Sequence, residues 1–278
     1  MKKLLSVILT LVLAVGVLAG CGQKKEENQS SIERIKEEGK IRIGVFSDKP
    51  PFGYVDEKGE NQGYDVYLAK RIAKDLLGDE SKIEFVLVEA ANRVEYLESN
   101  KVDVILANFT VTPERKEVVD FANPYMKVSL GVVSPDGSPI KSVEDLKGKK
   151  LLVNKGTTAE TYFTKNHPEI ELVKFEQNTE TFAALTDGRG DALAHDNTLL
   201  FAWAKENPGY TTFISSLGDE DAIAPAVKKG DTELLEWLNS EIDTLIKEGF
   251  FKEAFDETLA PAYGDTVKPE SVIFNWKI

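Results

Sequence analysis

Short apolar runs alternate along the chain with longer segments whose apolar residues recur every three or four positions. Ile41-Arg42-Ile43-Gly44-Val45 predicts a strand, and Tyr64 to Leu77 predicts an amphipathic helix. A strand over Ile83–Val88, a helix near Ala91–Leu97 and a strand over Val102–Ala107 complete a first set. Tyr125 to Val133 has little helical character and opens a second set. There Ser142-Val143-Glu144-Asp145 has the pattern of a capping box and predicts a short helix. A strand over Lys150–Val153, a helix from Thr157, a strand over Ile170–Val173 and a helix over Thr179–Leu185 follow. Next come a strand over Asp191–Ala194 and a helix running through Trp203. Ala222 to Val227 reads as a return segment. It precedes a long helix from Asp231 that carries Leu234, Leu235, Leu238, Ile242 and Ile246 at helical spacing. Strands separated by helices of this length predict parallel sheets wrapped by helices, the α/β class. Two sets with extended crossings near 128–133 and 222–227 predict a clamshell of two α/β lobes joined by a two-stranded hinge.

The ends and the charge narrow the setting. Lys2 and Lys3 precede an apolar run from Leu4 to Leu18, too short for the ~20 residues of a membrane-spanning helix. Leu18-Ala19-Gly20-Cys21 follows, so residues 1–20 read as a signal peptide and Cys21 as the acylated (palmitate-bearing) first residue of a bacterial lipoprotein. Cys21 is the only cysteine and cannot form an internal disulfide. Gln23 to Ser31 is polar, charged and free of apolar residues, and residues 21–32 read as a lipidated flexible tether at the extracytoplasmic face of the membrane. Loss of Lys2 and Lys3 takes the net charge from −13 to −15. That balance excludes nucleic acid and the anionic membrane face as partners, since both require clustered Lys and Arg. The two histidines, His167 and His195, lie far apart with no cysteine to join them, so no metal is expected. No Gly-rich phosphate loop, GxSxG or Cys/His pairing is present; no cofactor and no catalytic residue are expected.

Five segments in order resemble family 3 of the bacterial extracellular solute-binding proteins. Gly63-Tyr64-Asp65-Val66, with Leu68 and Ala69, is similar to the signature on that family's first long helix, although Tyr67 stands where the pattern carries a second acid. Asn108-Phe109-Thr110-Val111-Thr112-Pro113-Glu114-Arg115 and then Val119-Asp120-Phe121 resemble its carboxylate-binding loop. Ser142 to Gly148, Lys155-Gly156-Thr157-Thr158 and Gly190-Asp191-Ala192 resemble markers of its second lobe. The resemblance implies the type II periplasmic-binding fold, with lobe 1 formed by 33–128 and 227–278 and lobe 2 by 129–226. It also implies a monomer that carries a small polar amino acid to the permease and ATPase of an ABC importer. Glu89 to Arg93, the 108–115 stretch and Asp196 to Leu200 resemble the cysteine-binding branch; a related branch binds aspartate and glutamate.

The resemblance also suggests roles. Arg115 becomes the partner of the ligand carboxylate, since its planar fork can hold both oxygens. Its residue lies just inside a predicted helix start, with Thr112 as N-cap and Pro113 at the first position. Asn108 and Thr110 stand beside it, and Thr157 and Thr158 offer hydroxyls and helix-start N–H groups to the same carboxylate. Asp196, at a predicted strand end, becomes the acceptor for the ligand ammonium. Arg93 faces the variable end of the ligand, and Phe52 supplies an aromatic wall, with Tyr125 a further candidate at the hinge. Plainer readings stand beside each: a surface ion pair for Arg115, a solvated charge for Arg93, helix caps for Thr157, Thr158 and Asp196, and a core lid for Phe52. His195 reads as a structural histidine. An enzyme on the same fold would need a general acid or base beside its substrate, and only Asp196 is a candidate. A fused sensor would need a signalling segment, and none follows in this sequence.

Overall fold

The computed structural model describes residues 30–274. The signal peptide over 1–20, the Cys21 acceptor and the tether up to residue 29 lie outside the described residues. The described chain opens on α1 (Ser31–Glu38), whose first turn is capped by the Ser30 hydroxyl accepting from the Glu33 N–H at 3.2 Å. Ile32 and Ile35 are buried on its inner face. Residues 31 and 32, assigned to the tether by their polar surroundings, therefore belong to the folded body.

The first half continues through β1 (Ile41–Val45) and a small antiparallel sheet of β2 (Asp48–Lys49), β3 (Gly53–Val55) and β4 (Asn61–Gln62). After it come α2 (Tyr64–Leu77), β5 (Ile83–Leu87), a single 3-10 turn at Ala90–Asn92 and α3 (Arg93–Glu98). β6 (Val104–Ile105), α4 (Pro113–Val118) and β7 (Val119–Phe121) follow. The second half holds β8 (Met126–Pro135), β9 (Lys150–Asn154), α5 (Thr158–Asn166), β10 (Glu171–Phe175) and α6 (Asn178–Thr186). It closes with β11 (Ala192–Asp196), α7 (Asn197–Glu206) and β12 (Tyr210–Ile223). The chain then returns through β13 (Ala226–Lys228) and α8 (Thr232–Glu248), and ends in α9 (Phe250–Ala254), a π-turn over Phe255–Leu259, α10 (Ala260–Tyr263) and α11 (Pro269–Val272). The capping-box segment at Ser142 forms only a 3-10 turn, Glu144–Leu146. There the Asp145 carboxylate accepts from the Lys141 and Ser142 N–H groups instead of feeding a helix.

Two five-stranded sheets result, ordered β5-β1-β6-β13-β7 and β10-β9-β11-β8-β12. Both are mixed rather than parallel. β13 runs antiparallel to β6 and β7, and β8 runs antiparallel to β11 and β12. The chain leaves the first sheet after Phe121 and returns before Ala226. The two passages bond to each other through Ala122 N–H to Pro225 O (2.9 Å) and Tyr125 N–H to Ile223 O (3.0 Å). The first crossing therefore lies upstream of the expected 128–133. Those residues sit inside β8, which is buried almost end to end, with Ser129 and Ser134 buried among its apolar residues, so its composition does not mark where one sheet gives way to the other.

Helix α2 fixes the geometry around the interior of the first half. Asp65, Leu68, Ala69, Ile72, Ala73 and Leu76 are buried along one face of a 3.6-residue helix, and Tyr64 and Val66 are buried with them in its first turn. It starts at Gly63, where φ is 114° and an added Cβ would stand 2.4 Å from the Phe52 carbonyl oxygen. Any larger residue there is strained in the backbone and blocked by it. Tyr67 serves docking: its hydroxyl donates to Glu253 at 2.7 Å and its ring packs 5.4 Å from that of Phe250.

Asp65 is fully buried at the first turn of α2. It accepts the Tyr125 hydroxyl at 2.6 Å and the Asn108 N–H at 2.8 Å, tying the helix to the first crossing and to the turn after β6. Burial pushes its carboxyl up to about 7, against the two hydrogen bonds that favour the ionised form. An unfolded Asp loses its proton near pH ~3.9, so between there and pH 7 the folded state binds more protons than the unfolded one. Stability conferred by Asp65 is thus greatest in acid and falls as pH rises towards 7. In Asp65→Asn that slope should disappear. Denaturant titrations at pH 5 and pH 8 are expected to show the wild type losing about 2–4 kcal/mol relative to the variant across the interval. A constant difference would contradict a raised, buried carboxyl.

Candidate functional site

The carboxyl ends of strands from both sheets meet across one narrow cavity, the edge at which open α/β sheets hold ligands. From the first half, the turn after β1 contributes Phe46, the end of β2 contributes Lys49, and the turn after β6 contributes Asn108 and Thr110. From the second, the turn after β9 contributes Thr157 and Thr158, and the end of β11 contributes His195 and Asp196. Arg93 from the start of α3 and Arg115 from α4 complete the wall.

Seven of the eight residues expected at the site are brought together there: Arg93, Asn108, Thr110, Arg115, Thr157, Thr158 and Asp196. Phe52 is not among them. It is fully buried in the core against α2, the plainer of its two readings, and Phe46 is the aromatic residue at the cavity. Tyr125 is likewise buried and meets Asp65, not the cavity lining.

Local backbone chemistry positions each group. Asn108 adopts a left-handed φ of 45°, a conformation Asn tolerates better than most residues, and its N–H is fixed by Asp65. That turn presents successive carbonyls inward. Arg93 donates through Nη1 to Ala107 O (2.9 Å) and Asn108 O (3.4 Å), and through Nε to Ala90 O (3.0 Å). Arg115 is held by Thr110 O at 2.7 Å; Thr112 caps the first turn of its helix. Both guanidinium groups lie over the Phe109 ring, 4.3 and 4.6 Å from its centre, where the negative face of the ring attracts a cation. The Thr157 hydroxyl is engaged in capping, accepting from Glu160 N–H at 3.3 Å and donating to Asn154 O at 2.7 Å.

Several bonds span the two halves. Arg93 and Arg115 both reach the Gly156 carbonyl, at 3.1 and 2.9 Å. Lys49, wholly enclosed, donates to Asn108 Oδ1 at 2.6 Å and to Asp196 Oδ2 at 2.7 Å. Asp48 accepts from the Asn178 N–H at 2.7 Å and its amide at 2.9 Å. Gly156 permits the close approach. Its φ is 73°, and a Cβ there would stand 2.6 Å from the Ala91 Cα.

The electrostatics are dominated by burial. It lowers the Lys49 ammonium even though Asp196 supports it, and lowers the Arg93 guanidinium well below its ordinary value, with Arg115 adding repulsion. Arg115 is pushed down to about 10 by the same cause. Burial alone would raise the Asp196 carboxyl, but the Lys49 ammonium overrules it and holds it well below the usual carboxylate range. His195 is lowered by burial and by Lys49, so it is neutral near pH 7. Its Nδ1 accepts the Asp196 N–H at 2.7 Å, which leaves the proton on Nε2, a buried atom with no partner among the described residues. Lys49, Phe46 and His195 were not legible as site residues. Lysine is almost always a surface residue, and nothing in the spacing around Lys49 marks it as buried.

The model of the bacterial extracellular solute-binding proteins, family 3, matches residues 41–259. A glutamine-binding protein of an ABC transporter from Bacillus subtilis is 38% identical over 264 residues, covering 92% of this chain and 96% of its own length. Among solved structures, a solute receptor for L-cysteine of Neisseria gonorrhoeae is similar with a TM-score of 0.86 and 63% identity, over 87% of this chain and 99% of that one. A cysteine-binding protein from Campylobacter jejuni gives a TM-score of 0.88 and 64% identity, over 88% of this chain and 99% of that one. Two mixed sheets, a paired crossing and a charged cavity between their carboxyl edges agree with these matches, and the chain belongs to family 3 of the bacterial extracellular solute-binding proteins.

Proposed function

We propose that this chain captures a small polar amino acid, cysteine, in the cleft between its lobes and delivers it to the permease and ATPase of an ABC importer. One observation carries the reading: Arg93 and Arg115 sit in the cleft with their hydrogen bonds directed to neutral carbonyls, beside the ionised Asp196. A free amino acid needs its carboxylate and ammonium to be met by such groups, because a buried charge left unpaired costs several kcal/mol. Arg115 takes the carboxylate with Thr158 and the start of α5, Asp196 takes the ammonium, and Arg93 reads the side chain. Cysteine is favoured over aspartate and glutamate by the two cysteine-binding structures at 63% and 64% identity. The relatives are binding proteins of transporters, and the chain is not an enzyme.

The lobes, expected as 33–128 with 227–278 and 129–226, are taken to divide instead at the paired crossings, 122–125 and 223–225, and to move about them as a monomer. The protein acts outside the cytoplasm. Its attachment there by lipid on Cys21 is part of the proposal, resting on the leader sequence.

Calorimetric titration with cysteine, aspartate, glutamate and serine tests the roles. Arg115→Lys is expected to weaken all four, by about 2–5 kcal/mol or roughly 30-fold and more, because the carboxylate is common to them. Arg93→Ala should change their ranking, since only a contact to the variable group alters specificity. Equal losses for all four in Arg93→Ala would sink the assignment.

Gly156→Ala should reduce affinity for cysteine by roughly 5-fold to 100-fold, the ~1–3 kcal/mol of a forced close contact. Melting of the protein without amino acid should register the backbone strain of a non-glycine residue at φ 73°, about 1–2 kcal/mol, which open and closed states share and which therefore does not enter the affinity. An unchanged affinity would show that closure does not use the Ala91 contact.

Cys21→Ala is expected to move the protein from the membrane to the soluble fraction of fractionated cells. Retention wholly with membranes would refute the lipid anchor.

A further inference from the structure

We propose that the cavity takes its ligand with a second negative charge, so that cysteine is bound as its thiolate. The inference rests on the amino acid reading given above, and deepens it. Within the cavity stand three cations, Lys49, Arg93 and Arg115, against one fully ionised carboxylate, Asp196. A zwitterionic amino acid adds no net charge, so an excess of cations would persist when its carboxylate met Arg115 and its ammonium joined Lys49 on Asp196. An anionic side chain removes one unit of that excess.

The surrounding charges do not supply it. Asp65 lies behind Asn108, its carboxyl held up to about 7 by burial, so it is only part-ionised near neutral pH. Asp221 on β12 and Glu114 on α4 support Arg115 from outside the cavity lining; Asp221 also opposes Asp196, and Glu114 is bonded to Lys165 at 2.8 Å. Every hydrogen bond the Arg93 guanidinium makes goes to a main-chain carbonyl: Ala90, Ala107, Asn108 and Gly156. His195 adds a donor: with Nδ1 occupied, its buried Nε2–H is unpartnered among the described residues. A lining this rich in donors, with one acidic acceptor already shared with Lys49, fits an anion better than a neutral thiol or hydroxyl. Cations are known to draw a thiol's titration down to about 3.5–7.5, well below its free value near 8.5.

The step is an ionisation without redox. The S–H bond breaks, its electron pair stays on sulfur, and the proton passes to the buffer. At pH 7 nearly all free cysteine carries that proton, so about one proton should be released per cysteine bound. Serine, similar in size and un-ionised, releases none. Aspartate brings its anion already formed, and any proton exchange it causes measures the protein's own groups, Asp65 included.

The test is calorimetry on the whole protein with cysteine, serine and aspartate, in phosphate and Tris buffers from pH 6 to pH 8. Expected is a cysteine release of about one proton beyond the aspartate baseline, and a cysteine-to-serine affinity ratio rising roughly tenfold per pH unit. Cysteine binding with no release and a flat ratio overturns the inference while leaving the amino acid reading intact. Aspartate binding tightly at every pH while cysteine does not bind supports the demand for a second negative charge, and overturns cysteine as the ligand. Serine binding as tightly as cysteine overturns the inference.

Discussion

Taking charged groups out of water and holding them there without a matching opposite charge is the constraint around which this molecule is arranged. Arg93 and Arg115 would each cost several kcal/mol to bury bare. The chain meets them with main-chain carbonyls, which give strong charge-assisted hydrogen bonds yet leave the positive charge uncancelled. Carbonyls of the Ala107–Thr110 turn can do this only because Asn108 takes a left-handed conformation. That conformation in turn is held by Asp65 on α2, itself placed by the close Gly63–Phe52 approach. The long helix, the turn and the arginines form one dependent series.

Much of that series can be read from residues, and some of it cannot. The limits of α2 follow from apolar spacing and the glycines at its ends, because a half-buried helix has a period that sequence displays. Thr112-Pro113 and Thr157 announce helix starts for similar reasons. Sheet membership is another matter. β8 is buried almost throughout because β11 and β12 flank it, and nothing in its mix of apolar and small polar residues marks the passage between sheets. Phe52 and Phe46 are equally aromatic and six residues apart; which faces the cavity depends on how the small antiparallel sheet folds back. Lys49 is least legible of all. Its burial follows from Asn108 and Asp196, residues 59 and 147 positions away.

Gly156 links this charge problem to movement of the two halves. Its carbonyl is an acceptor for both arginines, which belong to the other sheet's side of the cavity, so the arginines are fully satisfied only when the halves meet. A ligand can shift that equilibrium only by what it gains in the closed arrangement over the open one. Contacts confined to one half would add affinity without favouring closure. On the proposed reading, Arg115 from the first half with α5 from the second, and Asp196 opposite Arg93, would split the recognition of a single small molecule across the gap.

Lys49 adds a complication with a definite sign. Its ammonium already lies on Asp196 across the same gap, a contact of the kind a ligand's ammonium would make, supplied from within the chain. It favours closure whether or not an amino acid is present, which lowers the share of closure energy the ligand must provide and so lowers the discrimination between open and closed states. A carboxylate has about four acceptor positions, so ligand and lysine can share Asp196 without displacement. The cations must then crowd around a single carboxylate of the cavity lining, and negative charge on the ligand relieves the repulsion between them. The ion pair that helps close the cleft thereby also sets which charge the cleft prefers to enclose.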